Sequence, residues 1–319
     1  MLLKDLLLST EIVDSIGNLE TNITGIAIDS RRVRPGFLFI AVKGTQTDGH
    51  AFVDKAIENG AAALVVCEPV NAPKASAVVR VSDTEKLVGS IATRFYGDPS
   101  HKLRLVGVTG TNGKTTVATV LYQLYRGLGY KVGLVSTVCN YIDDRTVEAT
   151  HTTPDPIELN ALLAEMVEAG CDYAFMECSS HAIHQHRIGG LHFEGALFTN
   201  LTRDHLDYHG TFENYRNAKK MFFDDLSKSS FAVTNADDKN GMVMVQNCAG
   251  NVKTYSTRAA ADFKGRIIEE SIEGMLLEID GREVSVPFVG RFNVSNLLCV
   301  YGAAVMLEIG RASCRERVF

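Results

Sequence analysis

The segment LRLVGVTGTNGKTT, residues 103–116, constrains this chain more than any other. Its apolar first half reads as a buried strand, and a glycine-rich turn follows. Thr115 to Leu128 then reads as a helix of about four turns. Strand, glycine turn and helix are the parts of a phosphate cradle, because backbone N–H groups of the turn and of the helix start point at an anion. Gly110, Thr111, Asn112, Gly113, Lys114, Thr115 and Thr116 form that turn. Lys114 adds a mobile positive charge for outer phosphates, and the Thr115 hydroxyl is placed for Mg²⁺. The strict G-x-x-x-x-G-K-[ST] pattern fails, since residue 108 is Val. The bland alternative is a glycine turn that merely packs a helix on a sheet. It does not require the lysine and the hydroxyl, so the loop is expected to bind the triphosphate of ATP.

The elements around the loop alternate. Before it, TGIAIDS, FLFIAV, AAALVV and AVVRVSD read as strands, and Ala51 to Asn59 reads as a helix stopped by Gly60. This small α/β unit ends near Gly97-Asp98-Pro99. After the loop come the strands KVGLVST, DYAFMEC, GALFTN and FAVTNADD. Asp155-Pro156-x-Glu158 has the signature of a helix start. Leu162, Leu163, Met166 and Val167 lie on one face of that helix, which ends at Gly170. NVSNLLCVYGAAVMLEIG is helix-like. The expected class is α/β: a small N-terminal domain over 1–98, then a mostly parallel central sheet with flanking helices over 99–311. Ligands are expected at the carboxyl ends of the central strands. The tail 312–319 fits neither period and is expected to be non-native sequence.

A formal net charge of −6 argues against a nucleic-acid-coating protein. The seven cysteines contain no Cys-x-x-Cys pair, so reduced thiols are the simplest expectation. MLLKDLLLSTEIVD lacks a basic start and a cleavage site, and is expected to be an opening amphipathic helix rather than a signal peptide. No stretch is apolar for long enough to span a bilayer. A cytoplasmic protein without nucleic-acid or membrane partners is expected.

Glu177 ends a predicted strand beside the phosphate loop, and a carboxylate there is a natural Mg²⁺ ligand. Taken alone, it could equally be a surface acid. His181, His184, His186, His205 and His209 crowd the following segment, but their spacings match no closed zinc site. One of them, His205, suits a second Mg²⁺ better. Lys219 and Lys220 fall on a predicted helix, and on composition both are solvated lysines.

GVTGTNGKTT, HTTPDP, MECSSHAIHQHRI, FTNLTRDHLDYHG, YRNAK and GRFNVSN occur in this order. Together they resemble the Mur ligases of peptidoglycan synthesis, from about residue 20 to about 310. The nearest likeness is to the type that adds a diamino acid to UDP-MurNAc-L-Ala-D-Glu. The resemblance implies that ATP phosphorylates the D-glutamyl carboxylate and that an amine attacks the acyl phosphate. It implies two Mg²⁺ ions, one held by Thr115 and Glu177, the other by His205 and Lys219. An ammonium cannot ligate a cation; in this family the lysine of Tyr-x-x-Ala-Lys is carbamylated by CO₂, and Lys219 matches that position.

The catalytic set implied is thus Lys114, Glu177, His205 and Lys219. The first domain is implied to bind uridine, through Ile28, Ser30, Thr45, Gln46 and Thr47. His151, Thr152, Thr153, Ser179, Gln185 and Arg187 match muramoyl-peptide contacts, and Asn293 matches an adenine contact. Singly, each of these polar residues could be a turn or cap residue, and Asn293 a helix N-cap. The resemblance also implies a third, Rossmann-like domain for the incoming amino acid, expected to be absent here. Overall ligation is then expected to be lost from this chain, leaving a nucleotide- and UDP-sugar-binding fragment. A folylpolyglutamate-type ligase is the remaining alternative; the IDSR and TQTDGH segments, read as uridine-binding, argue against it.

Overall fold

The computed structural model of the chain describes residues 1–44 and 47–308. Two compact units emerge. The first comprises Met1–Pro99, Asp155–Ala164 and Gln185–Leu191; the second comprises Ser100–Pro154, Glu165–His184 and the chain from His192. The sequence predicts one division, near residue 98; two later stretches also join the first unit.

The first unit is built on β1 (Ile12–Gly17), β2 (Gly25–Ala27), β3 (Phe37–Ile40), β4 (Ala61–Val66) and β5 (Ala77–Val81), with α1 (Leu3–Leu6), α2 (Val53–Glu58) and α3 (Thr84–Phe95). The strand order is β1-β5-β4-β3-β2. All neighbours are parallel except β1, which runs antiparallel to β5. Alternation along the strands sorts the core into two layers. Leu38, Ile40, Ala63 and Val65 pack with residues of α1 and α3. Phe39, Ala41, Leu64 and Val66 pack with Val53 and Ala56 of α2.

The N-terminus departs from expectation. Only one helical turn forms, burying Leu3 and Leu6, and Ile12–Gly17 becomes a strand. Ser9 takes a left-handed φ of 61°, which no helix continues. The β-branched Ile12 and Val13 beyond it suit an extended chain.

The second unit carries β6 (Arg104–Thr109), α4 (Lys114–Gly127), β7 (Val132–Val135), β8 (Asn140–Ile142), β9 (Arg145–Val147), α5 (Pro156–Glu168, whose first turns belong to the first unit), β10 (Tyr173–Glu177), α6 (Ser180–His184), β11 (Gly195–Phe198), α7 (Leu206–His209) and α8 (Phe212–Asp224). It continues with β12 (Phe231–Asn235), α9 (Gly241–Met244), β13 (Asn251–Ser256), β14 (Phe263–Glu270), β15 (Met275–Ile279), β16 (Arg282–Val286) and α10 (Arg291–Met306). The sheet order is β16-β15-β14-β13-β12-β11-β6-β10-β7-β8-β9. The run from β14 to β7 is parallel, and antiparallel hairpins extend both edges. The edge hairpins were not expected; their short strands lack the continuous apolar runs that mark the buried parallel ones.

The chain leaves β6 for β7 on one side and later fills β11 to β13 on the other. The carboxyl end of β6 is therefore the point where the winding reverses, the place where open α/β sheets form a crevice. One face of the sheet packs on α4 and α10 through Val106, Val108, Leu121, Phe175, Val233 and Leu298. On the other face, Gly107 of β6 lies under Phe222 of α8, with Phe193 and Cys178 beside it. There is no room for a Cβ there. Gly107→Ala is expected to overpack this face and cost about 1–3 kcal/mol, read as a lower urea midpoint; an unchanged midpoint would show that the face is slack.

Candidate functional site

The phosphate loop is held from both flanks. Gly110 (φ 148°) and Gly113 (φ 87°) take backbone conformations that L side chains avoid, and each is also closely approached. A Cβ on Gly110 would strike the Thr199 hydroxyl, and one on Gly113 the Asn296 side chain. Just beyond β11, Asn200 clasps Asn112 at two points: Oδ1 accepts from its N–H at 3.1 Å, and Nδ2 donates to its carbonyl at 3.1 Å. Thr199 Oγ1 donates to the same carbonyl at 2.6 Å. Lys114 Nζ donates to the carbonyls of Gly110 (3.1 Å) and Thr111 (3.0 Å). Burial pushes the Lys114 amine below the usual lysine range, against the opposing pull of Glu177 and Asp204. Gly113 caps α4, whose first-turn N–H groups have no helical acceptor.

Glu177 ends β10 and is buried, with 1% of its surface exposed. Thr115 Oγ1 donates to both carboxylate oxygens, at 2.9 and 3.0 Å. The N–H and hydroxyl of Thr137 donate to Oε1 at 2.8 and 3.1 Å. Among the described residues no cationic side chain forms an ion pair with it. A buried carboxylate beside a hydroxyl and without a cation is a donor set that fits Mg²⁺.

Lys219 on α8 is buried (1% exposed), unlike the solvated lysine that composition suggests. Its Nζ donates to the Gly110 carbonyl at 2.9 Å, the oxygen that Lys114 also holds. It also lies 4.9 Å from the Tyr215 ring centroid, and Tyr215 OH meets Thr111 Oγ1 at 3.1 Å. No carboxylate pairs with Lys219 among the described residues. Burial, then the charge of Lys114, drive its amine well below the usual lysine range. A lowered pKa favours the neutral amine, which is the form that can add to CO₂. Lys220 is instead paired with Asp224 one turn on.

His205 takes a left-handed φ of 51° ahead of α7, with about half of its side chain exposed and Asp204 3.5 Å away. Its ring meets those of His181 (4.9 Å) and Tyr215 (6.2 Å). Tyr215 thus links His205, Lys219 and the loop. Among the described residues no three His, Cys, Asp or Glu side chains converge as a metal-binding group.

The remaining expected residues divide between the units. In the second, Thr152 Oγ1 meets Thr137 Oγ1 at 3.1 Å, and His151 is exposed. The Thr153 hydroxyl is engaged within the fold, donating to the Glu177 carbonyl (2.8 Å) and accepting from the Ser179 N–H (3.2 Å). In the first, Ile28 lines a cavity of about 240 Å³ with Phe37, Tyr96 and the Arg32–Glu158 ion pair (2.7 Å). Ser30 is buried at a 3₁₀ turn, and Thr47 is exposed. Arg187 donates twice to Gln185 Oε1, at 3.0 and 2.7 Å. Thr45, Gln46 and the tail 312–319 lie outside the described residues.

A polar cavity of about 690 Å³ opens beside Asn112 and Gly113, reaching Asn235, Asp237, Arg258 and Phe292. Asn293 does not line it. Gly290 rather than Asn293 caps α10, and the Asn293 amide donates to the Val289 carbonyl at 2.9 Å. Its neighbours Phe292, Ser295 and Asn296 face the cavity instead. Asn200, Tyr215, Asn235 and Asn296 were not singled out in the sequence. For Asn200 and Asn235 the available signal was position: TNLT and TNADD stand at the ends of parallel strands, where ligands bind.

His209 is buried and its Nε2 lies 3.1 Å from Ser180 Oγ. Burial, with the imidazoles of His181 and His184 nearby, pushes it down to about 4 from 6.5. A depressed imidazole contributes stability above its unfolded pKa and loses it as pH falls towards the folded one. Urea midpoints are expected to fall between pH 6.5 and 4, and to fall less in His209→Gln; equal declines would remove His209 from the account.

Two family models match: the Mur ligase middle domain over residues 108–304, and the Mur ligase family catalytic domain over 22–96. The chain is 58% identical over 309 residues to the UDP-N-acetylmuramoyl-L-alanyl-D-glutamate–2,6-diaminopimelate ligase of Phocaeicola vulgatus, covering 96% of this chain and 64% of that protein. It is 59% identical to the enzyme of that name from Bacteroides fragilis, with the same coverage. A solved structure of a ligase of the same name superposes with a TM-score of 0.86 at 27% identity, covering all of this chain and 66% of the other. MurF from Thermotoga maritima, solved with ADP, shares the fold with a TM-score of 0.60 at 20% identity, over 92% of this chain and 66% of its own. The chain spans about 64% of the length of these two curated relatives. With both domain models in sequence order and a phosphate loop at the sheet's switch point, the chain belongs to the Mur ligase family.

Proposed function

We propose that this chain binds ATP at the phosphate loop and the uridine end of a UDP-muramoyl dipeptide through its first unit, with His151, Thr152, Thr153, Ser179, Gln185 and Arg187 as contacts for the muramoyl peptide. The protein it represents would join a diamino acid to UDP-MurNAc-L-Ala-D-Glu in the cytoplasm. The names of the 57–59% identical relatives support 2,6-diaminopimelate as that diamino acid. In this reading 1–98 is the uridine-binding domain and 99–311 the ATP-binding domain. The reading rests on one observation: a phosphate loop flanked by a cation-free buried carboxylate, Glu177, and an unpaired buried amine, Lys219.

The substrate carboxylate attacks the γ-phosphorus of ATP, ADP leaves, and the acyl phosphate accepts the amine. Both nucleophile and phosphates are anionic, so charge neutralisation dominates the barrier. Lys114 leaves the loop carbonyls for the outer phosphates, while first-turn N–H groups of α4 hold the inner ones. Thr115 and Glu177 would hold one Mg²⁺, and His205 with carbamylated Lys219 a second. Magnesium supplies screening of the phosphate charge. The Lys219 nitrogen adds its lone pair to CO₂ and loses a proton, turning an amine into an anionic oxygen donor.

Three measurements test the reading. With ¹³C-bicarbonate, the chain is expected to give a carbamate resonance that Lys219→Ala loses and Lys220→Ala keeps; a resonance that survives Lys219→Ala would refute the assignment. Asn200→Ala removes both bonds to Asn112 and is expected to weaken Mg·ATP binding about tenfold by calorimetry, as two bonds of about 0.5–1.5 kcal/mol each imply; unchanged affinity would mean that the clasp does not shape the nucleotide site. Thermal stabilisation by UDP-muramoyl dipeptide rather than by dihydropteroate separates this reading from a folate-type ligase.

A further inference from the structure

Thr137 stands two residues past β7, on the turn that leads into β8. Side chains close that turn. The Ser136 N–H donates to Asn140 Oδ1 at 3.1 Å, and the Ser136 hydroxyl donates to the Cys139 carbonyl at 2.7 Å. Ser136 and Asn140 are buried, whereas Thr137 between them is exposed. Its backbone N–H is held on Glu177 Oε1 at 2.8 Å. Its Oγ1 stands between two partners, 3.1 Å from Glu177 Oε1 and 3.1 Å from Thr152 Oγ1.

A threonine hydroxyl has one proton to give, and a carboxylate can only accept. With Glu177 bare, Thr137 gives its proton to the carboxylate and accepts one from Thr152. A divalent cation takes the same oxygen lone pairs that hydroxyl protons take. Three donors already crowd Oε1: the Thr115 hydroxyl and both the N–H and the hydroxyl of Thr137. The N–H is fixed by the backbone, so the Thr137 hydroxyl is free to turn away when a cation arrives. Thr152 Oγ1 is then its acceptor, and the bond between the two threonines reverses. The Thr152 proton is released for another acceptor.

A second link keeps the two threonines together. The Thr153 hydroxyl donates to the Glu177 carbonyl at 2.8 Å and accepts from the Ser179 N–H at 3.2 Å. The segment that carries Thr152 is thus tied to the main chain of Glu177 as well as to its carboxylate. The Thr137–Thr152 bond can change direction without the segment moving away.

We propose that Thr137 is a positioning residue that couples cation binding at Glu177 to muramoyl-peptide binding at Thr152. With the cation in place, Thr152 offers its proton to a carbonyl or carboxylate oxygen of the peptide. Without it, that proton stays on Thr137. The coupling rests on the proposed function, in which Glu177 holds Mg²⁺ and Thr152 contacts the peptide. It is reciprocal, so the peptide strengthens binding of the cation and its nucleotide by the same factor.

Calorimetry on the full chain tests this, with UDP-MurNAc-L-Ala-D-Glu and the Mg²⁺ complex of a non-hydrolysable ATP analogue. Each ligand is titrated alone and with the other saturating, and each variant is checked for native circular dichroism. In the wild type each ligand is expected to raise the affinity for the other. Thr137→Val keeps the backbone N–H on Glu177 and is expected to cut that mutual enhancement about two- to tenfold, the worth of one hydrogen bond. Thr137→Ser is expected to restore it. Thr152→Val is expected to cut it as far as Thr137→Val does, and the double variant no further. A wild-type chain that binds each ligand alone but shows no enhancement overturns the coupling and leaves the proposed function standing. Full enhancement in either folded valine variant, or a serine variant that fails to restore it, also overturns the coupling. Failure of the wild type to bind either ligand alone overturns the proposed function, and the coupling with it.

Discussion

The phosphate loop works only because its carbonyls are satisfied from inside the protein. A loop that turns N–H groups towards an anion must turn carbonyls the other way, and unpaired buried carbonyls are costly. Here the Gly110 carbonyl receives both Lys114 and Lys219, the Thr111 carbonyl receives Lys114, and the Asn112 carbonyl receives Thr199 and Asn200. The donors come from α4, α8 and the end of β11. The loop's shape therefore depends on the whole central sheet being wound correctly around β6.

That arrangement concentrates unpaired ionisable groups. Two lysines meet on one carbonyl oxygen, and one of them is buried without a carboxylate. Glu177 is buried beside Thr115 of α4, satisfied by hydroxyls and an N–H and, among the described residues, by no cation. Stability alone does not favour such groups, since burying a charge without a counter-charge costs several kcal/mol. In the proposed function, a bound polyphosphate with its cations would give each of them a partner. The same logic accounts for the glycines at 110 and 113, which trade conformational entropy for close approach by Thr199 and Asn296.

Much of this was legible in the sequence, for local reasons. The strand–turn–helix around Gly110 to Thr116 follows from an apolar run, two glycines and a helix-forming stretch. Helix α5 begins where Asp155 promised, with its carboxylate accepting from the N–H groups of Ile157 and Glu158. Where local signals were weak they misled. The leucine-rich N-terminus looked helical over fourteen residues, yet pairing with β5 turned its second half into a strand. Asn293 also read locally as a helix N-cap, but Gly290 takes that position and the Asn293 amide donates to the Val289 carbonyl.

The sequence by itself determined the phosphate loop, the alternation that forces a parallel sheet, and the motif order that marks a Mur ligase. Those depend on residue type and on neighbours a few positions away. Only the tertiary structure decided what Lys219 is. In the sequence it sits beside Lys220 on an amphipathic helix, and nothing local separates the two. In the fold, one is buried under Gly110 and Tyr215 with no carboxylate paired to it among the described residues, and the other pairs with Asp224. Burial is set by residues more than a hundred positions away, so the chemistry of that amine cannot be read from its own segment.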